Sequence, residues 1–260
     1  MKIAAIILGS LLVLCVIFLI QQTNSLKLAR YTWESPRVPR GFDGYRIALL
    51  SDLHNKRFGK NQARLARVVK AFQPDMIALI GDFADLRTKN LDSVAEFLEG
   101  VKDLAPIYYA DGNHDLTSPF YGELHALLAA HGVTVLAGDY LTLTRGGDGM
   151  ALAGFPCWNA GDITRPADIA LYHDPALFPS FAAHGYGLVL SGHNHGGQIA
   201  LPGGRAVFAP AGGFFPEYNG GVYREGGSVM VLSRGLGTTY IPVRAFARPE
   251  VVGIVLKAAE

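Results

Sequence analysis

The stretch YRIALLSDLH, residues 45–54, is a short apolar run that ends in an aspartate and a histidine. A run of this length and composition predicts a buried strand. The following stretch, NQARLARVVKAF, has apolar residues at Leu65, Val68, Val69 and Phe72, a spacing typical of an amphipathic helix. A second buried strand, PDMIALIGD, comes next at residues 74–82. Strand–helix–strand order predicts a sheet covered by helices, with ligand sites at the carboxyl ends of the strands.

The same alternation continues and then gives way to shorter apolar runs. NLDSVAEFLEGVKDL predicts a helix that begins near Asp92, and APIYYADGNHD predicts a third strand with its loop. Beyond about Val133 the candidate strands are VTVLAG, YLTLT, MALAGF, DIALYH, GLVLSG, QIALP, VMVLS and VVGIVL. This half is rich in strands and turns, so we expect a second sheet that packs on the first.

Length and composition exclude several classes of protein. The chain has 260 residues, of which 50% are hydrophobic, and can therefore bury one large core. A net charge of +1 gives no electrostatic support for nucleic-acid binding. Cys15 and Cys157 are the only cysteines, which excludes a disulfide framework and a cysteine-based zinc knuckle.

The N-terminal segment differs from the rest of the chain. Residues 3–20 carry no charge and are long enough to cross a bilayer as a helix. A cleaved signal peptide is the alternative, but no A-x-A-like site follows, so an uncleaved anchor is favoured. We expect an anchor at residues 1–22, a proline-rich linker at 23–44 and one folded domain at 45–260. The basic residues after the span favour a cytoplasmic body on an inner or plasma membrane; they are Lys27, Arg30, Arg37 and Arg40, against Lys2 before it.

Five of the predicted strands end in side chains that can bind a metal. In chain order these are Asp52 and His54, Asp82 and Asp85, Asn113 and His114, His173, and finally His193 and His195. Any one of these positions alone is more often a turn residue or a helix cap. Parallel strands, however, end at one edge of a sheet, so together the side chains predict a mixed oxygen and nitrogen cage large enough for two metal ions.

The motifs resemble those of the calcineurin-like metallophosphoesterases, whose pattern is D-x-H, G-D-x-x-D, G-N-H-D/E, H and G-H-x-H. Here SDLH, GDFAD, GNHD, LYHDP and SGHNH occur in that order across nearly all of the folded body. GHNHGGQIALP, FFPEYNGGVYR, SRGLG and RPE further resemble a membrane-anchored bacterial branch. Two positions depart from the pattern, because Asp111 precedes GNHD and no arginine directly follows Asp85.

The resemblance implies a four-layer α/β fold, in which a two-sheet β-sandwich is flanked by helices, behind an N-terminal transmembrane helix. It also implies a role for each matching residue. Asp52, His54 and His195 would hold one ion, Asp82 would bridge, and Asn113, His173 and His193 would complete the second site. His114 would act on the substrate, and Asp85 would orient His114.

The implied activity is hydrolysis of a phosphomonoester, phosphodiester or pyrophosphate by hydroxide generated between two divalent ions. Nitrogen and oxygen ligands suit Mn²⁺, Fe or Zn²⁺. The anchor and the aromatic residues Phe214 and Phe215 favour an amphiphilic, lipid-linked substrate in the membrane. The resemblance implies a specific candidate from lipid metabolism, UDP-2,3-diacylglucosamine, because some members of the branch cleave its pyrophosphate. Burial of both phenylalanines in the core is the alternative for that loop. The alternative function is a catalytically silent, metal-dependent binding scaffold at the membrane.

Overall fold

The computed structural model describes residues 2–209, 211–239 and 241–259, and within them the chain forms two large sheets between layers of helices. The helices are α1 (Lys2–Asn24), α2 (Ala63–Phe72), α3 (Asp92–Val101), α4 (Asn113–Thr117), α5 (Tyr121–Ala130) and α6 (Phe178–Ala183). The first five strands are β1 (Lys27–Ser35), β2 (Arg46–Leu50), β3 (Met76–Ile80), β4 (Ile107–Ala110) and β5 (Thr134–Val135). The next five are β6 (Asp139–Arg145), β7 (Asp148–Phe155), β8 (Ile169–Tyr172), β9 (Leu188–Ser191) and β10 (Ile199–Ala200). The last five are β11 (Ala206–Ala209), β12 (Gly213–Phe214), β13 (Gly221–Glu225), β14 (Ser228–Leu232) and β15 (Glu250–Ala258).

The first large sheet has the strand order β1-β15-β2-β3-β4-β5, and β2 to β5 run parallel. The second has the order β13-β14-β9-β8-β7-β6, and its strands β14, β9, β8 and β7 run parallel. A small third sheet contains β10, β11 and β12. The predicted second sheet is therefore confirmed, although β15 joins the first sheet rather than the second.

Alternation along the central strands explains why the sheets stack. Ile47 and Leu49 of β2 face a core shared with Leu188 and Leu190 of β9 in the other sheet. Ala48 and Leu50 point the opposite way, into a second core formed with α2, α3 and α5. Because successive strand residues face opposite sides of a sheet, an all-apolar strand needs a partner layer on each face. A third core, which includes Phe178 and Phe181 of α6, covers the outer face of the second sheet. The layers follow the predicted order αββα.

Residues 23–44, predicted as a linker, instead belong to the folded body. Residues 27–35 form β1, which pairs in parallel with the whole of β15. The sequence KLARYTWES carries three charged residues, as an edge strand does, and only Trp33 within it is buried. The linker prediction was wrong because the charges of this half-exposed edge strand, with Pro36 and Pro39 directly after it, resemble those of a loop.

Helix α1 is apolar throughout and is the helix in the described chain that is long enough to cross a membrane. Its exposed leucine, isoleucine and valine side chains lie on every face, from Ile3 to Ile20. A helix that is apolar all round is stable in lipid and unfavourable in water. Only its last turns contact the body, where Thr23 is buried.

Candidate metal centre

The carboxyl ends of five strands bring the predicted ligands together. Asp52 and His54 follow β2, Asp82 follows β3, Asn113 begins α4 after β4, His173 follows β8, and His193 and His195 follow β9. Three groups of ligand atoms lie within 4.8 Å of one another: Asp52 with His54 and His195, His54 with Asp82 and His114, and Asp82 with His173 and His193. Strands from both sheets therefore contribute to one site, at the edge that parallel topology predicts.

Asp82 lies between two histidines. Its Oδ2 atom is 3.0 Å from Nε2 of His173 and 3.8 Å from Nε2 of His54. Asp52 is close to a different pair, since its Oδ1 lies 3.4 Å from Nε2 of His195 and 3.8 Å from Nε2 of His173. The donor set thus divides into two overlapping halves with a carboxylate in each.

Several of these ligand atoms are buried and have no hydrogen-bond partner among the residues that the structure describes. They are Nε2 of His54, Oδ2 of Asp82, Oδ1 of Asn113 and Nε2 of His173. A buried polar atom without a partner costs roughly 1–3 kcal/mol. Oδ2 of Asp82 lies within 3.8 Å of Nε2 of both His54 and His173, so at least three of these atoms face one another. Imidazole nitrogens and carboxylate or amide oxygens that point inward in this way fit divalent transition-metal ions. The residues present therefore fit the predicted cations.

The outer ring nitrogens of two histidines have acceptors. Nδ1 of His173 donates to the backbone carbonyl of Ile80 at 2.8 Å, and Nδ1 of His54 lies 3.1 Å from Oδ2 of Asp85. A hydrogen atom on Nδ1 leaves the lone pair of Nε2 directed into the site, as metal binding requires. The structure thus gives Asp85 a different partner from the predicted His114. No hydrogen bond joins Asp85 to His114 within residues 2–209. The resemblance could not distinguish His54 from His114 as the partner of Asp85, because the two imidazole rings lie next to each other, 5.0 Å apart.

An arginine does lie near Asp85. It is Arg87, two positions further along the chain, and not the residue directly after Asp85. The guanidinium of Arg87 lies 2.9 Å from Oδ2 of Asp85 and also donates to the carbonyl of Thr239 at 2.6 Å. Burial raises the pKa of Asp85, but His54 and Arg87 together outweigh burial and hold that pKa well below its usual range. Asp85 is therefore an anion that accepts from His54 at neutral pH.

Charges within the site favour a bound cation. Burial lowers the pKa of His173, but Asp82 and Asp52 outweigh burial and raise it to about 10. Burial also raises the pKa of Asp82, and His173, His54 and His114 reverse that effect and hold the pKa below its usual range. A proton on His173 therefore occupies a place where two carboxylates attract positive charge. The same attraction acts on a metal ion, which must displace that proton to bind Nε2.

The backbone at the ligands is unusual. Positive φ angles occur at Asp52 (54°), His54 (46°), Asp82 (59°), His193 (78°) and His195 (51°). Such left-handed conformations cost a non-glycine residue of order 1–3 kcal/mol and occur mainly at functional sites. The strain is what turns the side chains back from the strand ends toward one another.

Two glycines allow the loops that carry Asp82 and Asn113 to touch. A Cβ atom on Gly81 would lie 2.2 Å from the backbone nitrogen of Gly112. A Cβ atom on Gly112 would lie 2.2 Å from Oδ1 of Asp82. Neither distance is possible for a real side chain, so the glycines of GDFAD and GNHD are required by close packing.

Asp115, which the sequence analysis did not assign a role, holds these loops in place. Its carboxylate accepts from the backbone N–H groups of residues 82, 83, 84 and 112, at 2.6–2.9 Å, and from the hydroxyl of Tyr109 at 2.6 Å. Burial and the neighbouring Asp82 raise the pKa of Asp115 to about 6, which leaves it ionised at pH 7. The sequence contained one signal for this role, because Asp115 is the last residue of the GNHD motif.

Arg244 was also missed, because it lies in no motif and acts through tertiary contacts. Its buried guanidinium donates to the carbonyls of His195 (3.1 Å), Arg234 (2.7 Å) and Gly237, and it lies 3.3 Å from Nδ1 of His195. These bonds fix the backbone on which a predicted metal ligand sits. Asp111, the departure before GNHD, belongs to none of the three ligand groups and pairs with His125 at 2.9 Å.

His114 lies beside the ligand cluster, because one of its ring nitrogens is within 4.8 Å of ligand atoms of His54 and Asp82. His114 is half-buried, and its backbone N–H donates to Oδ1 of Asp82 at 2.8 Å. Burial lowers the pKa of the His114 imidazole. Phe214 and Phe215 are 74% and 60% exposed, so burial in the core, the alternative for that loop, was wrong.

Comparison with known proteins agrees with this geometry. The family model described as calcineurin-like phosphoesterase matches residues 45–197, more than half of the chain. The chain belongs to the calcineurin-like phosphoesterase family. Membership makes it a metallophosphoesterase, a hydrolase that uses divalent metal ions, and Asp52, His54, Asp82, His173 and His195 form its candidate metal sites.

Curated relatives of this metallophosphoesterase occur in bacteria and animals. An uncharacterized metallophosphoesterase of Bacillus subtilis, YkuE, is 28% identical over 91% of this chain and 87% of its own. A second B. subtilis protein, YkoQ, is 30% identical over 79% and 81%. A zebrafish (Danio rerio) protein named transmembrane protein with metallophosphoesterase domain is 28% identical over 86% of this chain and 55% of its own. Among solved structures, TT1561 of Thermus thermophilus matches 74% of this chain and 90% of its own at 17% identity, with a TM-score of 0.48.

Proposed function

We propose that this metallophosphoesterase binds two divalent ions and hydrolyses a phosphoester of a membrane-associated substrate. The observation that carries the proposal is the position of Asp82, whose unpartnered Oδ2 lies between Nε2 of His54 and Nε2 of His173. Asp52, His54 and His195 would hold the first ion and Asn113, His173 and His193 the second, with Asp82 shared. Mn²⁺, Fe and Zn²⁺ all suit this mixed nitrogen and oxygen donor set.

Two bound cations supply charge neutralisation for the phosphoryl oxygens and lower the pKa of water. The protein residues do the remaining work. His54 and His173 keep their Nε2 lone pairs inward because Asp85 and the Ile80 carbonyl accept from their Nδ1 atoms. Arg244 and Asp115 hold the loops still, so the ligands need no rearrangement when substrate arrives. His114, beside the ligand cluster, would protonate the leaving oxygen or contact a phosphoryl oxygen.

The complete donor set favours an enzyme over the alternative of a catalytically silent scaffold. A scaffold would tolerate loss of a ligand or of His114, and here all of them are present.

The exposed apolar surface of α1 supports membrane anchoring, with a cytoplasmic body on an inner or plasma membrane as the orientation that flanking charges favour. A lipid-linked substrate, for which UDP-2,3-diacylglucosamine is the leading candidate, would place lipid metabolism as the context. Phe214 and Phe215 are exposed and available to contact an acyl chain.

The test is hydrolysis of bis-p-nitrophenyl phosphate by the purified full chain in detergent. We expect activity with Mn²⁺, its loss on treatment with a chelator, and recovery when Mn²⁺ is restored. Asp52→Asn should lose activity, whereas Asp111→Asn, the same change at a buried carboxylate outside the cage, should keep it. Activity that survives both chelation and Asp52→Asn would refute the proposal. Once activity is established, the natural substrate is identified by comparing the membrane lipids of cells with and without the protein. It is the lipid that accumulates when the protein is absent.

A further inference from the structure

The end of helix α1 is fixed to the catalytic body rather than tethered to it. Oγ1 of Thr23 accepts from the backbone N–H of Arg244 at 2.9 Å, and the carbonyl of Thr23 accepts from Nζ of Lys56. One turn earlier, the ring of Phe18 lies 5.0 Å from the ring of Phe246. Carbonyls at the helix end accept two further bonds, from Arg64 to Asn24 at 3.2 Å and from Arg248 to Ser25 at 3.1 Å.

This docking leaves no spacer between the proposed span and the fold. Only Ser25 and Leu26 separate α1 from β1. A helix of 23 residues is about 34 Å long, and the hydrocarbon core of a bilayer is about 30 Å thick. When α1 spans the bilayer, its docked last turn therefore lies at the level of the lipid headgroups, and the body rests on the membrane surface.

A groove of about 590 Å³ opens beside the docked helix end. Thr23 and Asn24 form one of its walls, Thr239 and Arg87 another, and the predicted metal ligand His54 lines its inner end. The Arg87 side chain is 54% exposed. Next to the groove, Arg87 and Thr239 also line a smaller cavity with His114 and Leu86, and Leu86 is 67% exposed although it is apolar. The end of the anchor and the ligand cluster thus share one opening.

The opposite side of the ligand cluster has the opposite charge character. A second groove of about 500 Å³ begins at His193 and is lined by Asp174, Glu217 and Glu225. Carboxylates repel a phosphate, whereas Arg87 is a half-exposed cation that attracts one. Its Nη1 keeps one N–H that can donate to a phosphate oxygen, since the other N–H groups donate to Asp85, Thr238 and Thr239. An anionic group would therefore approach the cluster from the side of the anchor.

We propose that the groove between the end of α1 and His54 opens at the membrane surface and admits the anionic phosphate headgroup of a lipid in the same leaflet. Arg87 binds the headgroup there, and the exposed Leu86 contacts the lipid chain beside it. This inference rests on the proposed phosphoesterase function and adds where the substrate enters and what binds it.

The geometry is tested by fluorescence quenching in vesicles of phosphatidylcholine that contain a headgroup nitroxide lipid. Cys15→Ser removes the exposed native thiol, and Cys157 is buried. A bimane label is then placed at Leu86→Cys or, as the control, at Lys257→Cys, which lies in β15 opposite the far end of β1. We expect several-fold stronger quenching at position 86 than at position 257. Equal quenching at both positions would overturn the proposal.

Binding is tested with phosphatidic acid as the probe in the same vesicles, with bis-p-nitrophenyl phosphate as the soluble substrate. Phosphatidic acid in the bilayer of the protein should raise the KM for the soluble diester several-fold, and in separate vesicles it should not. Arg87→Gln should reduce this effect, whereas Arg67→Gln, which removes the same charge from an exposed position of α2, should not. Because both variants experience the same surface charge, an equal effect in the two would overturn the proposal. Absence of diester hydrolysis by the native chain would instead contradict the proposed function.

Discussion

Nε2 of His173 lies 3.0 Å from Oδ2 of Asp82, and neither atom has another hydrogen-bond partner within the described residues. The contact joins a ligand from the second sheet to a ligand from the first. In the proposed centre Asp82 is shared by both ions, so its loss weakens two sites and removes negative charge between two cations. We expect Asp82→Asn to lower metal content more than Asp52→Asn or His193→Ala does, by elemental analysis of purified variants. Asp111→Asn is the matched control and should retain its metal, and two ions still bound to Asp82→Asn would contradict the shared role.

Metal binding should release protons at neutral pH. In the metal-free protein the raised pKa of His173, about 10, keeps this group protonated at pH 7. The ion must displace that proton, so metal affinity should rise as pH rises toward 10 and fall as the solution becomes more acidic. Calorimetric titration with Mn²⁺ in buffers of different ionisation enthalpy measures the number of protons released. We expect about one more proton for the native chain than for His173→Asn, and an equal number from both would show that His173 is not the group displaced.

His114 should matter most when the leaving group is a strong base. An alkoxide needs a proton as it departs, whereas p-nitrophenolate hardly does, and general acid catalysis contributes about 10²- to 10⁴-fold. We expect His114→Ala to keep its metals and much of its rate on a p-nitrophenyl ester, and to lose a factor in that range on an alkyl ester. His193→Ala should instead lose metal and fail on both substrates. Equal losses by His114→Ala on the two esters would assign the residue to binding of the phosphoryl oxygens.

The edge strand β1 makes two N-terminal truncations behave differently. Deletion of residues 1–25 removes the exposed apolar helix but leaves β1 paired with β15, so we expect a soluble protein that hydrolyses a small diester. That protein should unfold at a lower temperature than the full chain, because Arg244 loses the acceptor at Thr23. Deletion of residues 1–44 also removes β1 and exposes the edge of β15, so it should give aggregated, inactive protein by gel filtration. An active, monomeric protein from the longer deletion would show that residues 23–44 act as a linker.

Asp115 should be important for stability even without metal. Replacement by asparagine places an amide donor opposite several N–H groups and leaves buried donors without an acceptor, which costs about 2–5 kcal/mol. For a domain of this size we expect a fall in melting temperature of about 4–20 °C, measured with chelator present. Asp103→Asn, at an exposed position, is the control and should melt within about 2 °C of the native chain. A change at Asp115 no larger than at Asp103 would contradict its role in holding the loops.

The sequence predicted those features that depend on local pattern. Apolar runs of strand length located β2, β3 and β9, and the polar residues directly after them located Asp52, Asp82 and His193 at one sheet edge. Features that depend on distant contacts were not predictable in this way. Arg244 bonds to the carbonyl of His195 as well as to carbonyls of its own loop, residues 233–249. Strand β1 forms because β15, more than 200 residues later, pairs with it. The partner of Asp85 was likewise decided by packing, since His54 and His114 lie side by side.

The central claim is that the ligand cluster around Asp82 is a two-metal phosphoesterase centre. The most direct measurement is titration of the metal-depleted full chain with Mn²⁺ while bound metal and hydrolysis of bis-p-nitrophenyl phosphate are followed together. We predict two equivalents of tightly bound metal per chain, with activity that develops as the second is added. Full activity at one equivalent, or in the presence of excess chelator, would contradict this account.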